Sequence, residues 1–148
     1  MTRWSLLATV FSGMTLLSVS ACAGTGGGDS LGVPGRTYGQ NYKDMVLASC
    51  IARAYKGDTP AGKDASSSAS VFIDWTLYDV EKSSAAIDSI IERYLARDYG
   101  NPLVEYRGAE FNLLKCLDMY HSKELSDQVR RFVPQPNRTY RMDYPPKR

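Results

Sequence analysis

Three cysteines and one histidine carry whatever thiol and imidazole chemistry this 148-residue chain has. Cys22 closes an apolar N-terminal run, whereas Cys50 and Cys116 each fall on the apolar side of a helical pattern. A cysteine hydrolase needs its thiolate beside a base, and the single histidine, His121, follows Cys116 along the same helix. At that spacing the two side chains point roughly 140° apart. A zinc site of ordinary composition needs more ligands than one histidine and two committed cysteines provide. No glycine-rich phosphate loop precedes a lysine, and there is no nucleophile elbow. Glu81, Glu92, Glu105 and Glu110 show no spacing that asks for an acid–base pair, and solvated helix faces account for them. His121 reads as a polar residue at a helix end. The residue types therefore call for no enzyme, no metal and no cofactor.

What Cys50 and Cys116 do suit is a disulfide. In an exported chain such bridges form and persist. Closing so long a loop is worth roughly 4 kcal/mol in the chain-entropy picture, a large share of a small domain's stability. Two buried free thiols are the alternative, and they are commoner in cytosolic proteins. The disulfide is expected.

Export is read from residues 1–22. Arg3 supplies a positive start, an apolar run from Leu6 to Val19 follows, and small residues lead to Cys22. The run is too short to span a bilayer comfortably. Val19-Ser20-Ala21-Cys22 resembles a bacterial lipobox, which would make Cys22 a lipidated N-terminus. Ala21-Cys22-Ala23 also fits ordinary signal cleavage. The lipobox is favoured, because it gives the lone cysteine a reason. Ala23 after it suits sorting to the outer membrane, with the domain in the periplasm. Residues 23–40 are rich in Gly and Ser and read as a flexible tether. Residues 41–133 are the helical domain, and 134–148 an extended or disordered arm rich in Pro, Tyr and basic residues. A net charge of +2 argues against a nucleic-acid partner.

Within 41–133 apolar residues recur at three- and four-residue steps, and no sustained alternation is present, so the fold is all-α. The first helix carries Tyr42, Met45, Val46 and Cys50 and runs to about Lys56. Asp64 is the expected cap of a second, with Phe72, Ile73, Leu77 and Val80 inward and an end near Ser83. Ile87, Ile90, Ile91, Tyr94 and Leu95 mark a third. Leu113, Cys116, Leu117 and Tyr120 mark a fourth. A fifth is capped by Ser122 with Leu125, Val129 and Phe132 inward, and Pro134 stops it. About five short helices with tight connections make a compact bundle with one helix-to-helix disulfide.

Between the third and fourth patterns lies Tyr99-Gly100-Asn101-Pro102-Leu103-Val104-Glu105-Tyr106. Gly100 is a natural helix stop, and Pro102 keeps the chain out of helix. Leu103 and Val104, flanked by tyrosines, form an apolar patch in a connection. Two roles fit it: a functional protrusion, or a local staple on the helix pair.

Several stretches then carry a resemblance. Tyr42-Lys43-Asp44-Met45-Val46-Leu47-Ala48 is followed by Cys50-Ile51-Ala52, Asp74-Trp75 and Tyr78-Asp79. Tyr94-Leu95-Ala96-Arg97-Asp98-Tyr99, Asn101-Pro102-Leu103-Val104-Glu105 and Leu114-Lys115-Cys116-Leu117-Asp118 continue the series. Gln128-Val129-Arg130-Arg131-Phe132-Val133-Pro134 closes it. In this order the chain resembles the type VI secretion amidase immunity proteins, the group paired with the fourth amidase effector family. The resemblance implies a small helical homodimer in the periplasm that neutralises a cysteine amidase of peptidoglycan peptide stems. It also implies the means, a loop that enters the enzyme's cleft, and by position that loop is residues 99–106. Arg130 and Arg131 are candidates for added contacts, and a solvated basic face explains them equally well. A small envelope lipoprotein with a structural or other inhibitory role is the alternative reading.

Overall fold

The computed structural model describes residues 31–56, 59–99 and 109–146. Among these residues the chain forms a 3-10 turn, Val33–Gly35, and six helices. They are α1 Tyr38–Ala54, α2 Pro60–Asp74, α3 Val80–Leu95, α4 Asn112–Tyr120, α5 Lys123–Phe132 and α6 Tyr140–Asp143. The described residues contain no strand beyond a single bridge between Thr37 and Thr139. The all-α expectation holds, with a sixth short helix added. No helix of the described residues is long and apolar enough to cross a membrane.

Helix α1 is the axis of the core. Its Tyr42, Met45, Val46 and Cys50 pack with Ile90, Ile91 and Tyr94 of α3, Cys116 and Met119 of α4, and Leu125 and Phe132 of α5. Cys50 and Cys116 are joined by a disulfide, as expected, and both are fully buried. The bridge ties α1 to α4 across 66 residues. A second tie is polar: the buried Tyr42 hydroxyl donates to Gln128 Oε1 at 3.2 Å, and Gln128 Nε2 donates to the Ala86 carbonyl at 3.0 Å. Burial pushes the Tyr42 phenol well above its ordinary pKa, so it stays a donor.

Packing reaches past both ends of the 41–133 segment read as the domain. Helix α1 begins at Tyr38, because Thr37 and Gln40 form a capping box. The next backbone donors find partners far away in sequence. Tyr38 N–H donates to the Arg138 carbonyl at 2.8 Å and Gly39 N–H to the Pro136 carbonyl at 2.9 Å. A Cβ at position 39 would lie 3.0 Å from that Pro136 oxygen and 3.2 Å from Val129 Cγ1, so the close approach depends on glycine. The fully buried Tyr38 ring sends its hydroxyl to Asp143 Oδ2 at 2.7 Å, and Arg138 Nε donates to Asp143 Oδ1 at 2.7 Å. Tyr140 adds an edge contact to Trp75 at 4.5 Å. Residues 136–144 thus form a clasp over the start of α1 rather than an extended arm. Composition hid this, because the clasp works through polar and aromatic partners that a hydrophobic pattern does not register.

Three helix boundaries also differ from the sequence expectation. Helix α2 is capped by Thr59 with Pro60 in the first turn, not by Asp64, since a proline there is pre-set for the helix. It ends at Asp74 rather than near Ser83. The buried Asn41 side chain donates to the carbonyls of Val33 at 3.1 Å and Trp75 at 3.2 Å, which draws the chain out of helix. Asp79 then caps α3 by accepting from Lys82 N–H at 3.1 Å, and Ser83 is buried inside that helix. Leu77 and Val80 consequently fall at a junction and are exposed.

Two outcomes follow. Replacing Cys50 and Cys116 by serine should cost about 4 kcal/mol in urea unfolding, with a matching loss for the wild type under reductant. Asp143 is held below the ordinary carboxylate value of 3.8, first by the Arg138 bond and then by the Tyr38 hydroxyl. A depressed carboxylate stabilises the fold above its unfolded pKa, and that contribution disappears as pH falls through the folded value. Asp143→Asn should therefore lower the urea midpoint at neutral pH, and its deficit should narrow below the ordinary value. A deficit that stays constant into acid would contradict this.

Candidate functional site

The stretch singled out by sequence runs from Tyr99 to Tyr106, and its residues Gly100, Asn101, Pro102, Leu103, Val104, Glu105 and Tyr106 lie outside the described residues. Its two roots are described. Helix α3 stops at Leu95, earlier than the glycine stop at position 100. The reason lies on α4. Lys115 Nζ donates to the Leu95 carbonyl at 3.1 Å, occupying an acceptor that another helical turn would have used. Lys115 is 7% exposed, so a buried ammonium sits at the negative end of α3, where a cation is favoured. Arg97 lies over the Tyr94 ring, 3.5 Å from its centroid.

One turn further along α4, Asp118 Oδ2 accepts from the Tyr99 hydroxyl at 2.6 Å. That bond comes first among the causes that raise the Tyr99 phenol above its ordinary pKa. The Arg97 guanidinium interacts with the same hydroxyl, and this contact raises the guanidinium's own pKa. Lys115 Nζ stands 5.9 Å from the Tyr99 ring centroid. Between Lys115 and Asp118 sits Cys116, fixed to α1 by the disulfide. On the returning side Asn112 Nδ2 donates to Glu110 Oε2 at 2.7 Å. Phe111 enters α4 at φ 51 and ψ 34, a left-handed conformation that costs a non-glycine residue about 1–2 kcal/mol. Strain is thus stored where the chain rejoins the bundle.

The disulfide also sets the rotation of α4. With Cys116 inward, Lys115 and Met119 share the buried face. Leu113 and Leu117, expected inward, are instead exposed, together with Leu114. At 100° per residue these leucines form a ridge that ends at Asp118, beside Tyr99. Arg130 pairs with Asp127 of its own helix, and Arg131 stacks on Phe132 at 5.1 Å. His121 packs edge-on against Tyr120 at 5.1 Å. Among the described residues no group of three or more His, Cys, Asp or Glu side chains is placed to hold a metal. Lys115 and Asp118 escaped the sequence reading because a lysine and an aspartate on a helix ordinarily mark the solvent side.

Residues 40–129 match the family Tai4, type VI secretion system (T6SS) amidase immunity protein. The chain belongs to this family. The matched residues run from the first turn of α1 into α5 and include both roots of the 99–106 stretch, while α6 and the clasp residues lie beyond them. Two solved structures are similar. One comes from work on new type VI-secreted toxins and self-resistance proteins in Serratia marcescens. It has 25% identity and a TM-score of 0.66, covering 80% of this chain and 98% of that one. The other is a chain of the effector–immunity system Tae4/Tai4 from Salmonella typhimurium, in its selenomethionine variant. It has 26% identity and a TM-score of 0.60, covering 70% of this chain and 96% of that one. No curated protein matches the chain.

The buried lysine generates a prediction about the scaffold. Lys115→Met should destabilise the domain by about 1–3 kcal/mol, the usual cost of leaving a buried carbonyl without its donor. Urea unfolding at neutral pH measures it, and a loss within error of zero would show that solvent replaces Nζ at Leu95.

Proposed function

We propose that this protein is the immunity partner of a type VI-secreted peptidoglycan amidase, which it inhibits by inserting residues 99–106 into the catalytic cleft. The observation that carries the reading is the family match over residues 40–129, which brackets that stretch. The bundle supports the mechanism physically. A cleft shaped for an extended peptide stem accepts an extended segment, and Leu103 and Val104 supply apolar anchors of the kind that dominate such interfaces. The exposed ridge of Leu113, Leu114 and Leu117 provides apolar surface next to Tyr99 for the rim of the enzyme.

The protein acts in the periplasm, after export through residues 1–22, and is anchored to the outer membrane through lipid on Cys22. A disulfide in the core accords with that oxidising compartment. It works as a homodimer, in which Arg130 and Arg131 of the second subunit add contacts to the enzyme. Both arginines are exposed, and the Arg130–Asp127 pair is a surface interaction of the sort that rearranges at little cost.

Peptidoglycan digestion by the amidase, titrated with the mature chain, tests the reading directly. Digestion should cease near one equivalent, and undiminished digestion at excess chain would reject it. Leu103→Asp should weaken inhibition at least tenfold, the effect of losing a buried anchor worth about 1.4 kcal/mol or more, while the helical circular dichroism stays unchanged. Asn101→Ala should act in the same direction. Full inhibition by both variants would exclude the plug and leave the family assignment standing.

A further inference from the structure

Resting on that reading but narrowing its inserted part to residues 100–106, we infer that Tyr99 is the mooring of the plug rather than part of it, and that Asp118 and Lys115 of α4 are its positioning residues. Every chemical handle of the Tyr99 side chain is engaged within the chain. Its hydroxyl donates to Asp118 at 2.6 Å, with the Arg97 guanidinium as a second, electrostatic neighbour. Its ring has the Lys115 ammonium 5.9 Å from the centroid. Inside an enzyme cleft the same side chain would have to give up the carboxylate bond and the ammonium together.

The partners are not local. Lys115 and Asp118 belong to the helix on the far side of the 99–106 stretch, and the residue next to Lys115 is bolted to α1. The Lys115 ammonium bridges the two elements, holding the last carbonyl of α3 while it faces the Tyr99 ring. One turn of α4 therefore grips both the helix end and the residue from which the plug starts. A mooring of this kind fixes the origin of the inserted segment before the enzyme arrives. Conformational freedom that Tyr99 would otherwise lose on binding is already given up in the free protein.

Positioning and contact have different kinetic signatures. If only a fraction of free molecules holds the segment ready, apparent affinity falls by that fraction, and the loss appears in association. Losing an enzyme contact appears in dissociation. Association and dissociation rates with the amidase should be measured for the wild type, Tyr99→Phe, Asp118→Asn and the double variant. We expect each single variant to associate about fivefold more slowly, the scale of one charge-assisted hydrogen bond at a partly exposed site, with dissociation unchanged. The double variant should be no slower than either single one, because both remove the same bond. Lys115→Arg should keep the association rate that Lys115→Met loses. Faster dissociation in Tyr99→Phe with Asp118→Asn equal to the wild type would overturn the mooring and return Tyr99 to the interface. Unchanged rates in all variants would overturn it as well. A wild type that leaves digestion undiminished sinks the parent reading and this one together, whereas wild-type inhibition with indifferent variants sinks this one alone.

Discussion

The covalent link between α1 and α4 is the constraint on which the remaining geometry turns. Both sulfurs lie in the fully buried interior, so the bond fixes more than a distance. It fixes which side of a nine-residue helix faces the core. A helix that short has little rotational preference of its own, since isolated helices of this length are marginal. Once Cys116 points at Cys50, Met119 and Lys115 must follow it inward and the leucines must face out. The buried lysine, the Leu95 cap and the exposed ridge are consequences of that single choice of rotation.

The second organising feature is α1, which every other long helix uses as a partner or a neighbour of a partner. Its two ends are treated differently. The C-terminal half is held by burial and the disulfide, while the N-terminal turn is held by hydrogen bonds to carbonyls of residues 136 and 138 and by the Tyr38–Asp143–Arg138 cluster. Apolar packing secures the middle of the molecule, and polar complementarity secures its edge. A domain of this size has limited interior to draw on, so the polar edge adds ordered contacts that a larger core would make unnecessary.

Much of this was legible in the chain itself. The helical class, the Cys50–Cys116 bridge and the Ser122 cap follow from periodicity, compartment and capping chemistry, and each is present. The failures share a cause. Asn41, Lys115 and Asp143 are polar residues with decisive partners distant in sequence, and a local pattern assigns such residues to the surface. Leu113 and Leu117 failed in the opposite sense, because a covalent bond overrode their hydrophobicity. The stretch from 99 to 106 was recognisable as a break in periodicity, yet its mooring on α4 was not, since Tyr99 and Asp118 are related only through the folded bundle.

The dependence of α1 on residues 136–143 has a temporal side. A chain that emerges N-terminus first presents Tyr38 and Gly39 more than a hundred residues ahead of Asp143, with a sequence separation of 105 from Tyr38 to that aspartate. Through that interval the first turn of the central helix lacks the carbonyls that complete it. Domains of this kind finish late, and contacts of long sequence separation are the slow ones to form. The protein is thus assembled around a helix whose beginning is the last part to be secured, and cutting the clasp after release would expose the same unfinished end.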